Sequence, residues 1–179
     1  MAKTILVIST SLRHNSNSER LADYFVKGAK SAGNNVEKIS LKDKNIAFCK
    51  GCLACQKTKR CVIEDDAIKI AEQMCNSDII VFATPIYYYE MSGQMKTILD
   101  RANSLFARDY KFRDIYMLTT AAENEAYVPE KAIAGLTGWI DCFEKAQLTG
   151  TIFVGGVSDA GDIHDHEMLQ KAFEMGKNA

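Results

Sequence analysis

Apolar residues along the chain fall into two alternating patterns: short continuous runs bounded by polar residues, and longer stretches in which apolar positions recur every three or four residues. The first pattern suits a strand covered on both faces, the second an amphipathic helix. KTILVIS (3–9) predicts a first strand. SERLADYFVKGAKSAG (18–33) predicts a helix with Leu21, Tyr24, Phe25 and Ala29 on one face, Ser18 as its N-cap and Gly33 as its stop. VEKISL (36–41) predicts a second strand. EDDAIKIAEQMC (64–75) places acidic residues at a helix start, where free backbone N–H groups favour them, with Ile68, Ala71 and Met74 behind. DIIVFATP (78–85) is the most apolar strand. MSGQMKTILDRANSLF (91–106) predicts a helix carrying Met91, Met95, Ile98, Leu99 and Ala102 on one face, and DIYMLTTAA (114–122) a fourth strand. PEKAIAGLTGWIDCFEKA (129–146) predicts a helix despite Gly135 and Gly138, GTIFVGGV (150–157) a fifth strand, and HEMLQKAFEMGK (166–177) a closing helix.

Five strands separated by helical stretches predict an α/β fold, a doubly wound five-stranded parallel sheet with helices on both faces. No linker, repeat or low-complexity segment interrupts the alternation, so residues 1–179 read as one domain. Ligands of such sheets bind beyond the carboxyl ends of the strands, where strand order reverses. That rule directs attention to the stretches after residues 8, 84 and 118.

Composition narrows the classes. With 47% hydrophobic and 25% charged residues the chain has neither the low hydrophobicity nor the charge excess of disorder. A net charge of −1 supplies no field for a polyanion, which argues against nucleic acid as a main partner. MAKTILVIST lacks the longer apolar stretch and cleavage site of a signal peptide, and no apolar run reaches bilayer length. A cytoplasmic protein with no membrane partner is expected. In that reducing compartment the six cysteines are expected as thiols or metal ligands rather than disulfides.

The first strand-end loop, STSLRHNSNSER, carries Ser9, Thr10, Ser11, Arg13, Ser16, Asn17 and Ser18 ahead of a helix. Small polar side chains at a helix N-terminus complete a phosphate cradle; equally, they cap a helix with no ligand at all. The loop contains no glycine, so neither the dinucleotide fingerprint nor the P-loop is present. The second loop, ATPIYYYEMSGQMK, follows Thr84 and Pro85 with three tyrosines. Aromatic rings there suit a flat conjugated ligand, or a surface plug or subunit interface. The third, TTAAENEAY, is small and polar, as close backbone approach to a planar ligand requires.

Taken in order, STSLRHNSNS, CKGCLAC, CVIEDDA, DIIVFATPIYYYEMSGQMKTILDR and a fourth strand ending in TT resemble the NADPH-dependent FMN reductase family of flavodoxin-like proteins. Within it the chain is most similar to iron-sulfur flavoproteins and their cluster-free relatives, over roughly residues 3 to 155. The resemblance implies a flavodoxin-like fold and FMN as cofactor. Its phosphate would be held by Ser9, Ser11, Arg13, Ser16, Asn17 and Ser18. Thr84, Pro85, Ile86, Tyr87 and Tyr88 would lie along the ring system and ribityl chain, with Thr119, Thr120 and Ala121 on the other side. Family members often carry a glycine early in the first loop, where this chain has Ser9 and Thr10.

Four cysteines, Cys49, Cys52, Cys55 and Cys61, crowd into CKGCLACQKTKRC. Thiolate is a strong ligand for iron or zinc, and Lys50, Lys57, Lys59 and Arg60 would offset the negative charge. Three ligands at two-residue intervals and a more distant fourth resemble the cubane motif of iron-sulfur flavoproteins and fit a [4Fe-4S] cluster better than zinc, whose ligands come in separated pairs. Cysteines without metal, as in cluster-free relatives, remain the third reading. Cys75 and Cys142 are expected in the core, and Trp139 in the core or an interface. Asp100 and Arg101 are expected to anchor their helix to the sheet. Asp159, Asp162, His164, Asp165 and His166 miss the calcium-loop pattern and are expected to cap the last helix.

Three functions remain distinct. One is a flavin oxidoreductase passing electrons from NAD(P)H or a protein donor to a quinone, another acceptor or the cluster. Another is a flavodoxin-like carrier with no small substrate, and the last a binding module that has lost FMN. No side chain is assigned as acid or base, because the flavin carries the chemistry. A homodimer or homotetramer is expected, with Tyr87 to Tyr89 and Trp139 available to bury.

Overall fold

Ile5 and Val7 face one side of strand β1 (Thr4–Ser9), Leu6 and Ile8 the other, and all four are buried. Such a strand has helices on both faces of its sheet. The computed structural model describes residues 2–179. After β1 come α1 (Asn17–Ser31), β2 (Asn35–Ser40), α2 (Ala54–Thr58), α3 (Asp66–Asn76), β3 (Ile79–Tyr87), β4 (Glu90–Met91) and α4 (Gly93–Arg101). A 3-10 helix (Ala102–Ala107), β5 (Asp114–Thr120), α5 (Glu130–Ile140), β6 (Gln147–Val154) and α6 (Met168–Lys177) complete the chain. The parallel order is β2-β1-β3-β5-β6, with β4 folded back antiparallel on the end of β3. This is the flavodoxin-like order, and it reverses between β1 and β3.

Each face has its own core. Leu21 and Phe25 of α1 and Leu169 and Ala172 of α6 cover Ile5, Val7 and Val81. On the other face, residues of α3, α4 and α5 cover Leu6, Ile8 and Phe82, beside an aromatic group of Phe112, Trp139 and Phe143. Helices α1 and α6 touch at two glycines. A Cβ on Gly28 would stand 1.9 Å from the Phe173 carbonyl oxygen, and one on Gly176 2.1 Å from that of Phe25.

The five expected strands are present, with three differences at helix boundaries. Helix α1 begins two residues earlier than expected, capped by Ser16 rather than Ser18. The stretch 91–106 is not one helix: Met91 pairs with Ile86 in a hairpin, Ser92 caps α4, and beyond Arg101 the coil tightens to 3-10. Helix α5 stops at Ile140, and β6 begins at Gln147 because it follows β5 along the sheet edge. Cys142 therefore lies beyond the helix and is exposed, contrary to the core expectation, whereas Cys75 is buried. Trp139 is half-buried against the aromatic group, which agrees with its core reading. At the start of α6, His166 Nδ1 accepts from Met168 N, while Asp162 accepts from the N–H groups of Ser158 and Asp159 in its own turn. Of the acidic and histidine residues expected to cap that helix, His166 is the one that does. Among the described residues no helix is long and apolar enough to cross a membrane.

Candidate functional site

At the reversal, the loops after β1 and β3 are tied together by hydroxyls. Thr10 N and Oγ1 both donate to the Ala83 carbonyl, and Thr10 Oγ1 and Ser92 Oγ lie 2.9 Å apart. Ser92 N donates to Thr84 Oγ1, whose own hydroxyl reaches Ser92 Oγ, and Met95 N donates to Ser92 Oγ as the cap of α4. All three residues are buried. The Thr84 hydroxyl is thus engaged inside the protein.

Helix α1 follows the loop after β1, and its first N–H groups have no partner within the helix. Ser16 caps it, with its Oγ 3.1 Å from that of Ser18, and Ser11 is buried beside it. Ser9 Oγ, fully buried at the end of β1, makes no hydrogen bond among the described residues. Buried hydroxyls in proteins are nearly always paired, so this one marks a place where a partner is missing. Asn17 is used differently: its amide donates to the carbonyls of Val157 and Asp159 and accepts from the N–H groups of Gly161 and Ile163. It straps the loop after β6 to α1. Arg13, exposed, reaches the Ser158 carbonyl at 2.8 Å.

The hairpin of β3 and β4 turns in two residues, Tyr88 and Tyr89, with φ of 52° and 65°. Two positive φ values give the turn that matches strand twist, and glycine or asparagine normally supplies them. Tyrosine in that conformation is strained. Tyr88 is 98% exposed, so its ring is held out over the crevice without packing. Tyr89 donates to the Glu123 carboxylate at 2.9 Å and stacks on Tyr127, fastening the hairpin to the loop after β5. The carboxylate raises the phenol's pKa. Between them lies a cavity of about 330 Å³ lined by Ile86, the three tyrosines, Ala121, Ala122, Glu123 and Val128. Pro85, Thr119 and Thr120 stand at the ends of β3 and β5 beside it, with Thr119 and Thr120 buried and Thr119 Oγ1 donating to the Ile152 carbonyl.

Residues 48–62 form a loop closed at its neck by one buried ion pair. Arg101, at the end of α4, bonds both oxygens of Asp65 and donates to the carbonyls of Ala47 and Ile63, one on each side of the loop. Asp65 also accepts from Ala47 N and caps α3 through Ala67 N. The side chains are 0% and 3% exposed. Burial works to raise the Asp65 pKa, but its hydrogen bonds from Arg101, Ala47 and Ala67 prevail and hold it below the ordinary 3.8. Arg101 therefore anchors the cysteine loop, where the sequence suggested the sheet. Cys49, Cys52, Cys55 and Cys61 all line one small cavity. Gly51 N donates to Cys49 Sγ and Asn103 Nδ2 to Cys55 Sγ. No three His, Cys, Asp or Glu side chains among the described residues stand close enough to hold a single metal ion.

The structure therefore places Ser9, Ser11, Ser16 and Ser18 between the end of β1 and the start of α1, and Ile86, Tyr87, Tyr88 and Ala121 around the tyrosine-lined cavity, with the four cysteines in a separate loop. Sequence reasoning missed Ser92, Asp65, Asn103 and Glu123. Ser92 carried a legible signal, a serine just ahead of a helical pattern. Asp65 was legible as an acidic residue at a helix start, but not its pairing with Arg101, and Asn103 and Glu123 act through partners 34 or more residues away that left no local signal.

Comparison with known proteins gives the family and the fold. The model of the family described as NADPH-dependent FMN reductase matches residues 4–128. An iron-sulfur flavoprotein of Methanosarcina thermophila is 28% identical over 157 residues, 87% of this chain and 79% of that protein. One from Archaeoglobus fulgidus is 34% identical over 91 residues, 51% of this chain but only 41% of that protein. Among solved structures, an NAD(P)H:quinone oxidoreductase from Methanothermobacter marburgensis superposes with a TM-score of 0.72 at 16% identity, covering 99% of this chain and 97% of that one. An azoreductase from Bacillus anthracis gives 0.72 at 17%, covering each chain completely. These structural likenesses establish the fold. Because the family match takes in well over half of the sequence and all three loops at the strand ends, the chain belongs to the NADPH-dependent FMN reductase family.

Proposed function

We propose that the chain is an FMN-dependent oxidoreductase that passes electrons from NAD(P)H or a protein donor to a quinone or other acceptor, with a [4Fe-4S] cluster in the cysteine loop. The observation that carries the reading is the buried Ser9 hydroxyl at the end of β1, unpaired among the described residues, taken with the tyrosine-lined cavity at the end of the neighbouring β3. A phosphate fits that end: Ser9, Ser11, Ser16 and Ser18 offer hydroxyls, the helix offers N–H groups, and Arg13 offers charge from the rim. A planar ring fits the other end, between Pro85, Ile86, Tyr87 and Tyr88 on one side and Thr119, Thr120 and Ala121 on the other. In this reading Thr84 and Asn17 hold the two loops in place and do not themselves touch the ligand. When bound, FMN supplies hydride acceptance and electron storage. The protein's part is to orient the ring, exclude water with the tyrosine hairpin and fix the phosphate.

For the cluster, the donor set is the argument. Four thiols border one cavity, and two of their sulfurs accept N–H hydrogen bonds, as ligated sulfur does. Iron-sulfur flavoproteins among the relatives support the same assignment. The reading includes a cytoplasmic location and self-association as a homodimer or homotetramer. Exposed Phe48, Leu53, Tyr88 and Tyr127 supply apolar surface for the latter.

The test is a visible spectrum of anaerobically purified protein, followed by NADPH. Bound FMN that bleaches with NADPH, together with iron and acid-labile sulfide in equal amounts, is expected. A protein that binds no added FMN sinks the flavin reading, and one without iron sinks the cluster.

A further inference from the structure

Next to the four-cysteine cavity lies a second one of about 300 Å³, and Cys61 and Arg101 border both. Lys59 and Arg60 of the loop, Ile68, Ala71 and Glu72 of α3, and Ser104 and Arg108 enclose it. Four of these side chains are cations and one is an acid. Arg60 is paired with Glu64, and Arg108 reaches Glu72 only at 3.7 Å; both carboxylates are more than half exposed, so these are pairs an added ion readily displaces. Lys59 takes part in no ion pair among the described residues, and its backbone, at φ 59°, is fixed by a hydrogen bond from its N–H to the Cys55 carbonyl. Arg101 is bound to Asp65 through its terminal nitrogens, yet its buried Nε has no hydrogen-bond partner among the described residues. The cavity is rich in donors and poor in acceptors, on a chain whose net charge is −1. Arg101, Arg60 and Arg108 each have a carboxylate beside them, in Asp65, Glu64 and Glu72, so Lys59 carries the charge that no neighbouring carboxylate among the described residues balances.

We propose that this cavity is a binding site for a small anionic molecule bearing phosphate or carboxylate groups, seated against Cys61. Guanidinium and ammonium groups lining one cavity match the acceptor oxygens of such groups, and a cleft walled by low-dielectric protein concentrates the attraction. Ile68 and Ala71 provide an apolar floor for the remainder of the molecule. The consequence for electron flow rests on the cluster reading above: an anionic electron donor or acceptor held here is separated from the cysteine cavity only by Cys61 and Arg101.

Inorganic pyrophosphate is the probe. Titrated calorimetrically at low ionic strength into the full chain saturated with FMN, it is expected to bind saturably. The double variant Lys59→Gln/Arg108→Gln should weaken binding about tenfold, as loss of two charges from a focusing cleft does, with melting temperature and FMN content unchanged. In chain freed of iron, pyrophosphate should also slow iodoacetamide labelling of Cys61 while leaving exposed Cys142 unaffected. No heat of binding, an affinity indifferent to the double variant, or no protection of Cys61 would each overturn the site. Iron content reports on the cluster separately, so an anion site without iron leaves this inference standing while removing the cluster.

Discussion

Arg101 and Asp65 carry more of this molecule than their place in the sequence suggests. The pair joins the end of α4 to both sides of a loop whose cysteines are otherwise held by Gly51 N on Cys49 and by Asn103 on Cys55. Removing one partner leaves a buried charge alone, so Asp65→Asn is expected to lower unfolding stability by about 3–5 kcal/mol, read from urea denaturation. The pH dependence has a definite sign. Because folding lowers the Asp65 pKa below 3.8, its contribution is full above that value and fades as pH falls through the folded pKa. The gap between wild type and Asp65→Asn should therefore be constant near neutrality and close only in acid below 3.8; a gap that closes near neutral pH would contradict the assignment. Tyr88 shows the opposite balance. Its ring packs on nothing and its backbone is left-handed, so Tyr88→Asn should raise stability by about 1 kcal/mol in thermal melts. If that ring borders the flavin, the same variant should bind FMN less tightly.

Among the elements, α1 and α6 depend on the absence of side chains. Alanine is the better helix former by about 1 kcal/mol, yet a Cβ on Gly28 would fall 1.9 Å from the Phe173 carbonyl oxygen, and backbone cannot swing aside. Gly28→Ala is expected to destabilise by about 1–3 kcal/mol in denaturant unfolding, the range of overpacked cores, and a stabilised variant would contradict the close crossing. Helix α4 is the element that links the two candidate centres. Ser92 at its start belongs to the hydroxyl network of the crevice, and Arg101 at its end closes the cysteine loop. The periodicity of 91–106 made it look like one long helix because Met91 is apolar and in phase. Pairing of Met91 with Ile86 took precedence, since a hairpin satisfies both backbones while a helix start leaves its N–H groups unpaired.

Across the whole molecule, a ligand that binds only the folded chain must stabilise it. FMN at a hundredfold excess over its dissociation constant is expected to add about 2.7 kcal/mol, visible as a raised melting temperature, whereas riboflavin, lacking the phosphate, should add less. Sedimentation is expected to give the mass of a dimer or tetramer. The sequence by itself determined the alternation of strands and helices, the parallel sheet and the three loops at its carboxyl edge. Those features follow from hydrophobic periodicity, which is local and written in every run from KTILVIS onward. It also marked the cysteine quartet. Only the tertiary structure decided which polar residues face a ligand and which hold the frame: Asn17 and Thr84, alike in sequence to their neighbours, spend their hydrogen bonds on distant backbone and on Ser92, while Ser9 is left with none. A polar side chain's role depends on what arrives beside it from elsewhere in the chain, and local spacing contains no record of that.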